Sequence, residues 1–161
     1  MNIPAEFDDI RPYSPEELPQ VFEELLADPS FQAVLTNVIP GIPIEMLAAQ
    51  LHQCKTNLDV QKTFFYSLLH GIIDKHSDGF DMDTSSLDDK NRNYTFISNH
   101  RDIVLDPGFL SVGLIDNNFP TTVEIAIGDN LLIYPWIKKL VRVNKSFIVQ
   151  RALSMRQMLE S

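Results

Sequence analysis

No apolar run in this sequence of 161 residues approaches the roughly 20 residues that a bilayer-crossing helix needs. The N-terminus, Met1-Asn2-Ile3-Pro4-Ala5-Glu6-Phe7-Asp8-Asp9, lacks the basic start and apolar core of a signal peptide. Both absences point to the cytoplasm. A single cysteine, Cys54, excludes an internal disulfide and a cysteine-rich zinc site, and its helical surroundings suit a small buried hydrophobe. Cations are scarce as well: the net charge is −9, which removes nonspecific nucleic-acid binding, because that requires an extended cationic surface for phosphates. With 44% apolar and 22% charged residues, disorder and fibrous repeats are excluded in turn.

The charge changes sign along the chain. Residues 1–90 hold 5 Lys/Arg against 16 Asp/Glu and residues 91–161 hold 8 against 6, so the halves carry −11 and +2 and present different surfaces. The first half reads as a helical bundle. Ser14-Pro15-Glu16-Glu17 combines a cap, a proline and a Glu three residues after the Ser, ahead of Leu18, Val21, Phe22, Leu25 and Leu26. Pro19 is a reason for the true start to fall later. Asp28-Pro29 repeats the signal before Phe31, Val34, Leu35 and Val38, and Pro40-Gly41 ends that segment. Ile44, Leu47, Ala48, Leu51 and Cys54 follow Pro43. The strongest apolar face is Val60, Phe64, Phe65, Leu68, Leu69, Ile72 and Ile73.

Three segments result: a helical domain over 1–78, an acidic linker over 79–93, and an α/β domain over 94–161. In the linker, Asp81, Asp83 and Ser85 imitate a calcium loop, but Ser86 and Arg92 stand where glycine and a bidentate Glu are required. From Tyr94 the period shortens. Tyr94–Ser98, Thr121–Ile127 and Ser146–Val149 read as strands, with a helix starting at Asp106-Pro107, an apolar segment over Leu131–Val141 and a last helix over Ala152–Leu159. Alternation of this kind predicts the α/β class, with a mainly parallel sheet and helical crossovers. Three strands fall short of the usual five or six, so the segment reads as the first part of such a domain.

Ligands gather beyond the carboxyl ends of strands in these sheets, and the first such end reads Ser98-Asn99-His100-Arg101-Asp102-Ile103-Val104-Leu105-Asp106. A histidine followed by carboxylates at Asp102 and Asp106 has the parts of a general base and its orienting acid. The other reading is structural: Asn99 and His100 make turn hydrogen bonds, and Asp106 caps a helix with Pro107 in its first turn.

Residues 98–107, Ser-Asn-His-Arg followed by Asp-Pro, resemble the first signature block of the glycerolipid acyltransferases, the glycerol-3-phosphate and lysophosphatidic acid acyltransferase superfamily. Gly128-Asp129-Asn130-Leu131, Pro135, Arg142 and Phe147-Ile148-Val149-Gln150-Arg151 resemble a second block, in the right order, and the likeness covers roughly residues 94–151. It implies transfer of a fatty acyl group from acyl-CoA or acyl-carrier protein to a hydroxyl of glycerol 3-phosphate or a lysophospholipid. His100 would be the general base, Asp106 its partner and Arg151 the phosphate contact, with Asn99 and Arg101 beside the substrate. No metal and no resident cofactor are implied. Two departures stand out. Five residues separate His100 from Asp106 where the family has four, and the later Glu-Gly-Thr-Arg-like and proline blocks are absent. The chain therefore reads as an N-terminal portion, inactive alone if those blocks are needed.

Lys138, Lys139, Arg142 and Lys145 beside Leu131–Ile137 offer a peripheral contact with the inner surface of an anionic membrane. A core-facing helix with a cationic end is the preferred reading, since its apolar face must cover the sheet. His52, His70 and His76 share no ligand spacing. The sequons at Asn93 and Asn144 are chance matches in a cytoplasmic protein. Rival functions are a noncatalytic module that binds a carrier or partner, and a thioester hydrolase in which His100 activates water. An open sheet edge would favour self-association.

Overall fold

Caps and spacing determine where the first helices begin. The computed structural model describes residues 3–99 and 101–151; His100 and the helix expected over Ala152–Leu159 lie outside the described residues. The Ser14 N–H donates to Glu17 Oε2 at 2.7 Å, and α1 (Leu18–Leu26) starts there with Pro19 in its first turn, where a missing N–H forfeits no helical bond. Its buried side is Leu18, Val21, Phe22 and Leu25. Asp28 caps α2 (Pro29–Val38) by accepting from the Ser30 and Phe31 N–H groups. After a left-handed turn at Gly41 (φ 86°), α3 (Ile44–Gln53) adds Leu47 and Leu51 to the same core. Cys54 is buried there, and burial pushes its thiol pKa up.

Thr56 and Asp59 form a reciprocal capping box at the head of α4 (Asn57–Val60). The helix continues through a π-helical turn, Gln61–Phe65, into α5 (Tyr66–His76). A π turn widens the spiral and re-aims its side chains, and here it accompanies a buried Gln61. Gln61 Oε1 accepts from the Thr122 hydroxyl, and its Nε2 donates to the Asn144 carbonyl at 3.3 Å. Asn57 Nδ2 donates to the carbonyls of Arg142 and Val143 at 3.2 and 3.0 Å. Side chains of the first half thus satisfy carbonyls at the end of a helix in the second, groups with no partner inside that helix.

That helix is α7 (Pro135–Val143), the crossover between β1 (Ile125–Gly128) and β2 (Ser146–Val149). The two strands pair in parallel, with Ile125 opposite Ser146 and Gly128 opposite Val149. Trp136, Leu140 and Val143 of α7 pack into the cluster built by α1, α2 and α3. Arg142 is 5% exposed, its guanidinium donating to the Asp8 carbonyl at 2.5 Å and the Arg11 carbonyl at 2.7 Å and lying 3.9 Å over the Tyr13 ring. It ties the N-terminal segment to α7. A second cluster joins Leu69 and Ile73 of α5 to Val112 of α6 (Leu105–Asp116). Asn118, left-handed at φ 59°, ends α6: the Phe119 N–H reaches the Leu114 carbonyl and the Asn118 N–H the Ile115 carbonyl, both at 2.9 Å, a Schellman closure made with Asn in place of glycine.

The class is mixed α/β, helices with a small parallel sheet. Two strand expectations shift. The run Thr121–Ile127 pairs only from Ile125; the Thr122 carbonyl accepts from Lys145 Nζ at 3.0 Å, and the buried hydroxyl donates to Gln61. Tyr94–Ser98 is not in a ladder, and Ile97 is 93% exposed. The acidic stretch before it has no helix or strand but lies along α6: Phe80 meets Phe109 at 5.6 Å between centroids, and Met82 fills the space a side chain on Gly113 would occupy.

Candidate functional site

Two carboxylates shape the loop that leads into α6. Asp102 Oδ1 accepts from the Val104 N–H at 2.8 Å and the Leu105 N–H at 2.7 Å, so Asp102 closes the turn that leads into the helix, whose N-cap position is Val104. Asp106 sits one residue inside the first turn, and its Oδ2 accepts from the Arg101 and Asp102 N–H groups at 2.8 and 2.9 Å. The Arg101 nitrogen is the one that forms the peptide bond with residue 100. The Asp106 carboxylate is therefore folded back over the loop at the position next to the histidine, which itself lies outside the described residues. Asn99 and Arg101 are exposed.

A second group forms at the carboxyl ends of the two strands. Parallel pairing sets the end of β1 beside the end of β2, so Gly128-Asp129-Asn130 adjoins Arg151. The Arg151 N–H donates to Asp129 Oδ1 at 3.2 Å. A Cβ on Gly128 would lie 2.6 Å from Asn130 Oδ1 and 2.7 Å from Arg151 Nε. Glycine is needed here for close approach, since its backbone is an ordinary extended one (φ −70°). The guanidinium thus rests against bare backbone, beside an amide oxygen. A planar guanidinium held this way can present N–H pairs to an anion.

Among the described residues, no hydrogen bond or ion pair links Asn99, Arg101 or Asp102 to residues 128–130 or Arg151. The sequence pattern singled out Asp106 and Arg151 but missed the turn that Asp102 closes ahead of α6 and the hold of Asp129 on Arg151. An Asp three residues before a helix start was the available signal for the first; none existed for the second, which depends on strand pairing.

The cations of the second half are dispersed. Lys139 pairs with Glu24 at 2.8 Å, Arg142 is buried, and Lys145 Nζ donates to Thr121 Oγ1 and the Thr122 carbonyl at 2.9 and 3.0 Å, half-burial lowering its pKa. His52 lies 3.1 Å from Glu23. His70 lies 3.3 Å from Asp116, which also accepts from the Tyr66 hydroxyl at 2.5 Å; that bond raises the tyrosine pKa. Asp83 accepts from the Ser85 N–H at 2.8 Å, an ordinary turn within the calcium-like stretch. No group of three or more His, Cys, Asp or Glu side chains that could hold a metal ion is present among the described residues. None of their helices is long and apolar enough to cross a membrane. The chain matches no protein-family model, no curated protein and no solved structure.

Proposed function

We propose that the protein takes part in acyl transfer from a thioester, acyl-CoA or acyl-carrier protein, to a hydroxyl of glycerol 3-phosphate or a lysophospholipid. The observation that carries the reading is the Asp106 carboxylate accepting from the Arg101 N–H at 2.8 Å, Arg101 being the residue that follows the His100 of the acyltransferase-like block in the sequence. His100 takes the hydroxyl proton as the oxygen attacks the thioester carbonyl. Asp106 steadies the imidazolium, and the tetrahedral intermediate collapses with release of the thiol, which leaves with that proton. Arg151 at the strand ends receives the acceptor phosphate, with Asn99 and Arg101 nearer the reacting oxygen. The helical first half and the α/β second half act as one support, α7 being seated in the helical core. In this proposal, catalysis occurs in the cytoplasm.

The noncatalytic reading has its own observation: Asp102 and Asp106 both accept backbone N–H groups of their own loop, as a purely structural turn requires. Labelled acyl thioesters offered to glycerol 3-phosphate and lysophosphatidate, with this chain and with any longer product of its gene that contains it, separate the two. His100→Ala is expected to reduce transfer by about 10²- to 10⁴-fold, the usual span for a general base, and Arg151→Ala to raise the acceptor KM more than the donor KM. Full-rate transfer by His100→Ala would remove the base assignment. No transfer by either protein, with both folded, would favour the binding module, and acyl release without an alcohol would favour a hydrolase.

A further inference from the structure

We infer that the outer edge of β1 is built to take Tyr94–Ser98 as a third parallel strand, the solvated segment being the open state of a strap that closes along the sheet. Direction comes first. Lys90 Nζ donates to the Asn117 carbonyl at 2.5 Å and lies 5.5 Å over the Phe119 ring, at the C-terminal end of α6. Arg101 and Asp102 are held by Asp106 at its N-terminal end. The chain between them runs antiparallel to α6, as a strand feeding a crossover helix must. Lengths agree: α6 has 12 residues, about 18 Å, and five extended residues span about 16 Å.

The edge is open on one side only. The Ile125 N–H donates to the Lys145 carbonyl at 3.2 Å, so by the alternation of a parallel ladder Ile125 and Ile127 face β2 and the N–H and C=O of Ala126 face outward. Ala126 is exposed, and among the described residues its N–H has no hydrogen-bond partner. The far edge of β2 is already engaged, the Ile148 N–H donating to the Ile10 carbonyl at 2.8 Å. The segment suits the open edge. Tyr, Thr, Phe and Ile favour strands. Docking would bring Ser98 and Asn99 toward the ends of the strands that carry Gly128 and Arg151. The pairing stands apart from the acyl-transfer reading, since it concerns backbone groups alone.

Native-state hydrogen exchange on the full chain, together with Ile97→Asp, tests it. The amide of Ala126 and alternate amides of 94–98 are expected to exchange at least about 100-fold more slowly than in an unstructured peptide, independently of protein concentration, and Ile97→Asp to lower the denaturant midpoint. Unprotected exchange at 94–98, or an unchanged midpoint for Ile97→Asp, overturns the proposal. So does protection that grows with concentration, which would show a strand from a second copy on that edge.

Discussion

The helical half with α7 and the strip from Tyr94 to Leu105 contain similar apolar side chains in opposite surroundings. In the first, Phe22 is 1% exposed and packs with Leu25, Phe31 and Val143. In the second, Ile97 is 93% and Val104 68% exposed. Burial follows from whether a segment can find its partner locally. Helices make their backbone bonds within themselves and need only turn an apolar stripe inward. A strand must reach a neighbour distant in sequence before any of its groups is satisfied.

Core substitution gives the sharpest form of that contrast. Phe22→Ala is expected to lower unfolding free energy by about 3–5 kcal/mol through lost transfer energy and the remaining cavity. Val104→Ala, in that strip at a side chain 68% exposed, is expected to stay within about 0.5 kcal/mol. Urea unfolding of both variants measures the difference, and comparable losses would break the comparison.

Legibility in the sequence follows the same division. Asp28-Pro29 and the spacing of Leu18, Val21, Phe22 and Leu25 disclosed α1 and α2 because caps and helical periods are local signals. Ser146–Val149 was legible for a related reason, a local run of aromatic and β-branched residues, although the sheet buries Ser146 and Ile148 and leaves Phe147 and Val149 exposed. Thr121 and Thr122 read as strand because β-branched residues favour it, yet Lys145, distant in sequence, takes the Thr122 carbonyl and the Thr121 hydroxyl. The candidate site was named in the sequence as residue types at Asp106 and Arg151. The division of work between Asp102 and Asp106 was not, since both carboxylates precede or open the same helix and only geometry assigns their N–H partners.

The seam between the halves gives an intermediate effect. Arg142→Met keeps the length of the buried stem but leaves the carbonyls of Asp8 and Arg11 without their donor and the Tyr13 ring without its cation. Charged hydrogen bonds of this kind contribute about 1.5–3 kcal/mol each. Because Asp8 is exposed and regains water, a loss of about 2 kcal/mol is expected in all. Limited proteolysis should show earlier cleavage before Tyr13, with the α1 to α3 core cut no faster. Equal acceleration throughout would mean that Arg142 supports the whole core rather than the N-terminal segment.

The smallest effect is a pH dependence at the same segment. Arg11 Nη1 donates to Glu17 Oε2 at 2.6 Å, and this bond holds the Glu17 carboxyl at a pKa of about 2 against an ordinary 4.5. A pKa depressed by folding contributes stability that is complete above the unfolded value and is lost as pH falls through the folded one, so the window runs from about 4.5 down to about 2. The pair is partly solvated, with the Glu17 side chain 36% exposed, and water screening keeps its contribution below about 1 kcal/mol. Thermal midpoints of the wild type and Glu17→Gln should therefore differ at pH 6 and converge toward pH 2. A gap that persists at pH 2 would place the stabilisation in the neutral bond to the Ser14 N–H, and the ion pair would then contribute nothing to holding the N-terminal segment on the helical core.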